Sequence, residues 1–282
     1  DVLSRSIGQD AANLAVGRLG QKHRAARVLR QCRHAAGMIG VLVGNQDAVE
    51  RLGRDIKRFQ PAIAINTLIV LNLNSDEYSL RSRATAGEMG IDLSGDRLSL
   101  FETYRETLLL WSGRMNLISL QSELDLPVRH FIDSLTLLPY LAAGPATLLD
   151  IGSGAGFPAI PVKIFRKDLH VTLLEASRKK CSFLKEVIRR LGLRDVAVLN
   201  CRLEELLKKD PRPSYDWIVS RATLKLPELV ELAVPLLKPG GILAAMKGPG
   251  FEAETEALNS SESKNFRLVG NYSFTLPVTG DQ

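Results

Sequence analysis

LLDIGSGAGFPAIPV, residues 148–162, is the stretch whose reading decides the fold. Three apolar residues and Asp150 run into three glycines spaced two apart, Gly152, Gly154 and Gly156, and Pro158 then stands where a helix can begin. A glycine at a strand exit lets the backbone turn sharply and approach a ligand with no Cβ in the way. The spacing separates ligand classes. A dinucleotide fingerprint, G-x-G-x-x-G, needs glycine at 157, where this chain has Phe157. Asp150 at the strand end is unwelcome beside phosphates and suits a cationic ligand, such as the ammonium of the methionine moiety of S-adenosylmethionine.

Outward from this loop, after Gly144 and Pro145, the text alternates strands and helices. Strands are expected at 146–151, 169–175, 195–200, 215–220, 241–246 and 268–276. Helices are expected at 158–166, 178–191, 203–209, 226–237 and 252–259. Apolar strands separated by amphipathic helices predict a doubly wound, mostly parallel α/β sheet of Rossmann-like type. Ligands of such sheets bind beyond the carboxyl ends of the strands. Glu175 ends the second strand of this series, where an acid can take both hydroxyls of an adenosine ribose. Leu203 and Glu204 follow the third strand and are placed to flank an adenine ring. Glu204 also has a simpler reading, as a first-turn acid that compensates the helix dipole.

Upstream, Phe101, Tyr104, Leu108, Trp111 and Met115 recur at steps of three and four, one apolar stripe on a helix that Ser94 can cap and Asp96 favours. A second helix is expected from Pro127, with His130, Asp133 and Ser134 within one turn. The chain thus divides into residues 1–85, an extension with no assignable function; 86–144, a helical region; and 145–282, the core. Within 1–85, INTLIVLNLN (65–74) reads as one strand. Arg24, Arg27, Arg30 and Arg33 share a helical spacing that fits a solvated face better than an RNA contact.

Composition narrows the class further. The chain has 282 residues and a formal charge of +6, and residues 160–250 hold 18 basic against 10 acidic side chains. The core is locally basic, as an anionic partner requires. Cys32, Cys181 and Cys201 are odd in number and lack metal-ligand spacing, which argues against disulfides and zinc and fits a reducing cytoplasm. The sequence has neither a run approaching a membrane span nor a secretory signal pattern.

YRETLLLWSGRMNLIS, VRHFIDSL, LLDIGSGAGFPAIPV, LLEASRKKCSFL, VSRA and MKG occur in this order. From about residue 91 to 279 the chain resembles the bacterial 16S ribosomal RNA guanine-N7 methyltransferase family, RsmG or GidB. The resemblance implies S-adenosylmethionine as cofactor and N7 of guanine 527 of 16S ribosomal RNA, free or in the small subunit, as acceptor. It implies cofactor contacts from Gly152, Phe157, Leu203, Glu204 and Arg221, to which the residue-level reading adds Asp150, Gly154, Gly156 and Glu175. It also implies that His130, Asp133, Lys179 and Lys247 lie around the guanine or its RNA. Arg221 and Lys247 are expected at the reacting centre, and Lys179 and Lys180 on the RNA backbone. His130 and Asp133 also fit an ordinary surface pair. Two departures stand out: Ser112 replaces a customary Asn, and a last strand, antiparallel to the sixth, is implied beyond Gln282. A cytoplasmic monomer without membrane association is expected. The rival readings are a methyltransferase of another substrate class and a noncatalytic binding protein on the same fold.

Overall fold

The computed structural model describes residues 39–44, 92, 93, 95–118, 127–221, 223–248, 251–259 and 266–273. The expected strand at 65–74, the arginines before residue 34 and the Ser94 cap lie outside them. Seven strands form one sheet: β1 Ile39–Gly44, β2 Ala146–Ile151, β3 Leu169–Leu174, β4 Val196–Leu199, β5 Tyr215–Arg221, β6 Leu237–Lys247 and β7 Arg267–Ser273, in the order β4-β3-β2-β5-β6-β1-β7. The strands from β4 across to β6 pair in parallel. The order reverses beside β2, whose carboxyl end is therefore the switch point at which such sheets bind ligands.

β1 pairs antiparallel with β6, Val41 opposite Ala245, and with β7, Val41 opposite Asn271. It lies next to the sixth strand of the core series, where the resemblance placed a strand following that one in sequence. A strand so early in the chain was not anticipated. It makes ladders on both sides, so its conformation is a property of the gap between β6 and β7 more than of its own six residues.

Period-two alternation sends neighbouring strand residues to opposite faces. Leu148, Val219 and Ala244 join a core with helices α1 (Asp96–Ser112), α2 (Ala159–Phe165) and α3 (Arg178–Arg190). Leu149, Ile218 and Leu243 join a second core with α4 (Leu203–Leu207), α5 (Leu226–Ala233) and α6 (Phe251–Asn259). The α1 stripe is as expected: Phe101, Tyr104 and Leu108 are buried, and Trp111 meets the ring of Phe183 edge-on at 5.8 Å. Gly95, with φ of 62°, precedes this helix without a side-chain cap. The second helical region begins at Pro127 as expected, as a π-type stretch to Ile132 that runs into Asp133–Leu135. Leu135 and Phe131 are buried against the first core, which brings this region over the carboxyl end of β2.

Candidate active site

The glycine loop is held from three directions. Gly152, Gly154 and Gly156 have φ of 70°, 55° and 92°, a region that side-chain-bearing residues resist. The N–H groups of Gly152 and Ser153 donate to the Leu174 carbonyl of β3 at 2.9 and 3.0 Å. Gly154 N–H donates to Glu175 Oε2 at 2.9 Å, and Ser177 N–H to Glu175 Oε1 at 2.8 Å. From α1, the Tyr104 hydroxyl donates a short hydrogen bond to the Ala155 carbonyl. A Cβ on Gly156 would lie 2.6 Å from that hydroxyl, so glycine is also needed for close approach. A Cβ on Gly154 would meet only the Gly152 carbonyl, at 3.7 Å, which leaves room beside the middle of the loop for a ligand.

Glu175 lies one residue past the end of β3, where the sequence predicts strand over 169–175, and its carboxylate ties the loop to the start of α3. Asp150 lies deeper than expected. It is wholly buried, and neither carboxylate oxygen has a hydrogen-bond partner among the described residues. Burial pushes its pKa well up, opposed by the nearby Ser153 hydroxyl and Ala159 N–H. A buried, unsatisfied acid behind a ligand loop is the kind of group a cationic ligand would draw toward its charged form. Leu203 is buried and Glu204 exposed at the start of α4. Asn200, which sequence reasoning missed, donates from its side chain to the Glu175 and Ala176 carbonyls at 3.0 and 2.9 Å.

A second group gathers at the carboxyl end of β5. Arg221 Nη2 donates to the Arg129 carbonyl at 2.8 Å and lies 3.0 Å from His130 Nδ1, while Nε is 3.4 Å from Asp133 Oδ2. The His130 ring stacks on Phe157 with centroids 5.1 Å apart and planes 20° apart, and the guanidinium sits 5.7 Å from the centre of the Phe157 ring. Arg221 thus meets His130, Asp133 and Phe157, the four being drawn from three motifs, and the buried Asp133 is not half of a surface pair with His130. Burial and then the charges of Arg221 and Arg129 lower the His130 pKa to about 3. Burial raises the Asp133 pKa to about 6 against the opposing pull of Arg221. Arg221 Nη1 is buried without a hydrogen-bond partner among the described residues, a donor available to a ligand.

Lys247, which ends β6, is buried and engaged elsewhere. Its ammonium donates a short hydrogen bond to the Leu224 carbonyl and pairs with Glu254 Oε2 at 2.8 Å. Burial pushes the Glu254 carboxyl up, but hydrogen bonds from Lys247 and the Leu226 N–H outweigh it and the net shift is down. Lys179 is exposed and Lys180 half-buried in the first turn of α3, where their charges oppose the helix dipole and face outward.

Tyr104 and Glu254 were missed as site residues. A signal existed for Tyr104 alone: a tyrosine inside an apolar stripe needs a partner for its hydroxyl.

A sheet wound in this way, with a glycine loop at its switch point pinned by an acid from the adjoining strand, is the framework of the class I S-adenosylmethionine-dependent methyltransferases, and this chain is one of them. Its family is narrower than that class. Residues 97–275 match the family model GidB, described as rRNA small subunit methyltransferase G, and the chain belongs to that family. It is 45% identical to a ribosomal RNA small subunit methyltransferase G of Syntrophus aciditrophicus over 213 residues, 74% of this chain and 88% of that protein. Proteins of the same name match it at 42% identity in Geotalea uraniireducens (70% of this chain, 89% of that protein) and 37% in Desulforamulus reducens (73% and 87%).

Proposed function

We propose that this chain methylates N7 of guanine 527 in 16S ribosomal RNA, and that the Arg221–His130–Asp133–Phe157 group receives the guanine. S-adenosylmethionine, when bound, supplies an electrophilic methyl on a sulfonium. Guanine N7 carries an in-plane lone pair and no proton, so methylation there needs positioning and charge stabilisation but no general base. The observation that carries this reading is the contact of Arg221 with His130 Nδ1, which occupies the ring nitrogen that would otherwise take a proton. An imidazole whose pKa is held near 3 and whose Nδ1 faces a guanidinium is a poor proton acceptor at neutral pH. His130 is therefore not the base that transfer to a protonated position would need, and transfer to N7 needs none.

The roles follow from chemistry. Arg221 Nη1 suits guanine O6, an acceptor that a basic group can hold. Asp133 and Asp150 favour the positive charge that N7-methylguanine develops. Glu175, with Leu203 and Glu204 nearby in sequence order, provides for the ribose and adenine, and Gly152, Gly154, Gly156 and Phe157 line the cofactor. Lys179 and Lys180 supply backbone contacts to RNA within the basic stretch 160–250. The protein acts as a cytoplasmic monomer on the small subunit or its RNA, without a membrane. Among the described residues no helix is long and apolar enough to cross one.

Incubation with methyl-labelled S-adenosylmethionine and small subunits stripped of the modification tests the reading. Label should enter 16S RNA, and Arg221→Ala should abolish most of it. Label in protein or a small molecule with none in RNA would replace the RNA reading by another substrate class.

A further inference from the structure

Thr223, two positions after Arg221, lies directly over the cofactor loop. The side chain of Thr223 packs so closely on Gly152 that a Cβ there would collide with its methyl. On one side Thr223 is anchored through its hydroxyl to that of Ser220, which contacts the Ile151 carbonyl at 3.1 Å. On the other side the connection is gripped by two charged residues from different elements. Lys247, at the end of β6, holds the Leu224 carbonyl. Glu254, on α6, accepts from the Leu226 N–H at 2.6 Å and from Lys247 at 2.8 Å through the same oxygen. One carboxylate oxygen and one ammonium thereby close a ring around the backbone from Leu224 to Leu226.

Fold stability alone does not call for this arrangement. The start of α5 needs only a capping side chain at Lys225, the position before it, and has none. Burying a Lys–Glu pair to do the same work incurs desolvation that a Ser or Asp cap would avoid. What the pair adds is a fixed height for the connection over Gly152 and a fixed direction for the chain leaving Arg221.

We propose that Lys247 and Glu254 are positioning residues, a clamp on the Thr223–Lys225 connection that closes Thr223 on the cofactor loop and aims Arg221 at His130. Lys247 acts through this backbone and touches neither guanine nor phosphate. The Arg221 half of the inference rests on the proposed substrate group; the Thr223 half rests only on the cofactor loop.

The test uses the full chain with Lys247→Met, Glu254→Gln and Thr223→Ala, singly and with Lys247→Met combined with Thr223→Ala. Affinity for S-adenosylhomocysteine is measured by calorimetry, Tm by thermal unfolding, and methyl transfer on small subunits. Lys247→Met and Glu254→Gln should each weaken the cofactor product about fivefold or more in folded protein and slow transfer further. In the Thr223→Ala background, Lys247→Met should weaken affinity by no more than about twofold, because residues acting through one contact are not additive. Unchanged affinity with a lowered Tm would make the pair merely structural and overturn the proposal, as would fully additive losses in the double variant. Glu254→Gln conserves size and supplies the readout should Lys247→Met fail to fold. Cofactor affinity needs no RNA, so this result stands apart from failure of the ribosomal reading.

Discussion

Arg221 Nη2 faces His130 Nδ1 at 3.0 Å. A guanidinium has donors only, so Nδ1 must be the acceptor, and the imidazole is neutral with its proton on Nε2. The ring is then a flat, uncharged surface stacked on Phe157, with one donor left to present. Its neighbour Asp133 is pushed in the opposite direction, and the pair makes the pH dependence of stability diagnostic.

His130 has a folded pKa of about 3 against a usual 6.5, so it contributes stability above 6.5 that is lost as pH falls toward 3. Asp133, at about 6 against 3.8, contributes stability below 3.8 that is lost as pH rises through 6. Between 6 and 3.8 the two oppose each other. Asp133→Asn should therefore lose stability on acidification over that window more steeply than the unmodified protein, by up to about 1.4 kcal/mol per pH unit. His130→Gln should lose it less steeply from 6.5 downward. Denaturant melts at several pH values decide this; parallel curves for all three proteins would dissolve the coupling.

Glu175 bonds both Gly154 N–H and Ser177 N–H, and is expected to meet the cofactor ribose. Glu175→Ala should weaken S-adenosylmethionine binding tenfold or more, roughly 1.5 to 3 kcal/mol. Glu175→Gln should also lose affinity, because an amide has one acceptor where two N–H groups need one each. Titration of folded variants that bound as tightly as the parent would remove Glu175 from the cofactor site.

Tyr104→Phe removes only the hydroxyl that holds the Ala155 carbonyl. Leaving that buried acceptor unpaired should cost about 1 to 3 kcal/mol of stability. Cofactor affinity should fall with it, since Ala155 lies between Gly154 and Gly156. A Phe variant that matched the parent in both Tm and affinity would show that the loop needs no brace from α1.

β1 bears on stability but not on the chemistry, because β6 and β5 separate it from β2. Val41→Pro removes a backbone donor from a strand paired on both sides, which a central strand does not tolerate. Its Tm should drop, as should that of a chain lacking residues 1–85, while the folded fraction of each binds cofactor within about twofold of the parent. An unchanged Tm for both variants would exclude β1 from the sheet.

Legibility tracked locality. β2 was readable to the residue because its apolar run and its glycines are contiguous. β6 was placed at 241–246 but begins at Leu237, because Lys238, Pro239 and Gly240 have the composition of a turn. β1 gave no signal: Val41–Val43 flanked by Gly40 and Gly44 is a strand only in the gap that β6 and β7 leave for it. The grouping of Arg221 with His130, Asp133 and Phe157 was not legible, since His130 is 91 residues away and no periodicity links them, and the resemblance divided the four between cofactor and guanine. The engagement of Lys247 by Glu254 could not be read at all, because it joins the end of a strand to a separate helix and follows no periodicity of either.

Methylation at guanine N7 requires no proton to be removed, and the position of the methyl distinguishes it from every alternative. N7-methylguanine is a fixed cation whose ring opens under reduction and whose chain then cleaves, so its position can be mapped in 16S RNA from cells with and without the gene. One cleavage is expected, at guanine 527, present only with the gene and lost with Arg221→Ala. A methyl on N1, N2 or a ribose oxygen, each of which carries a proton that must be removed, would contradict it.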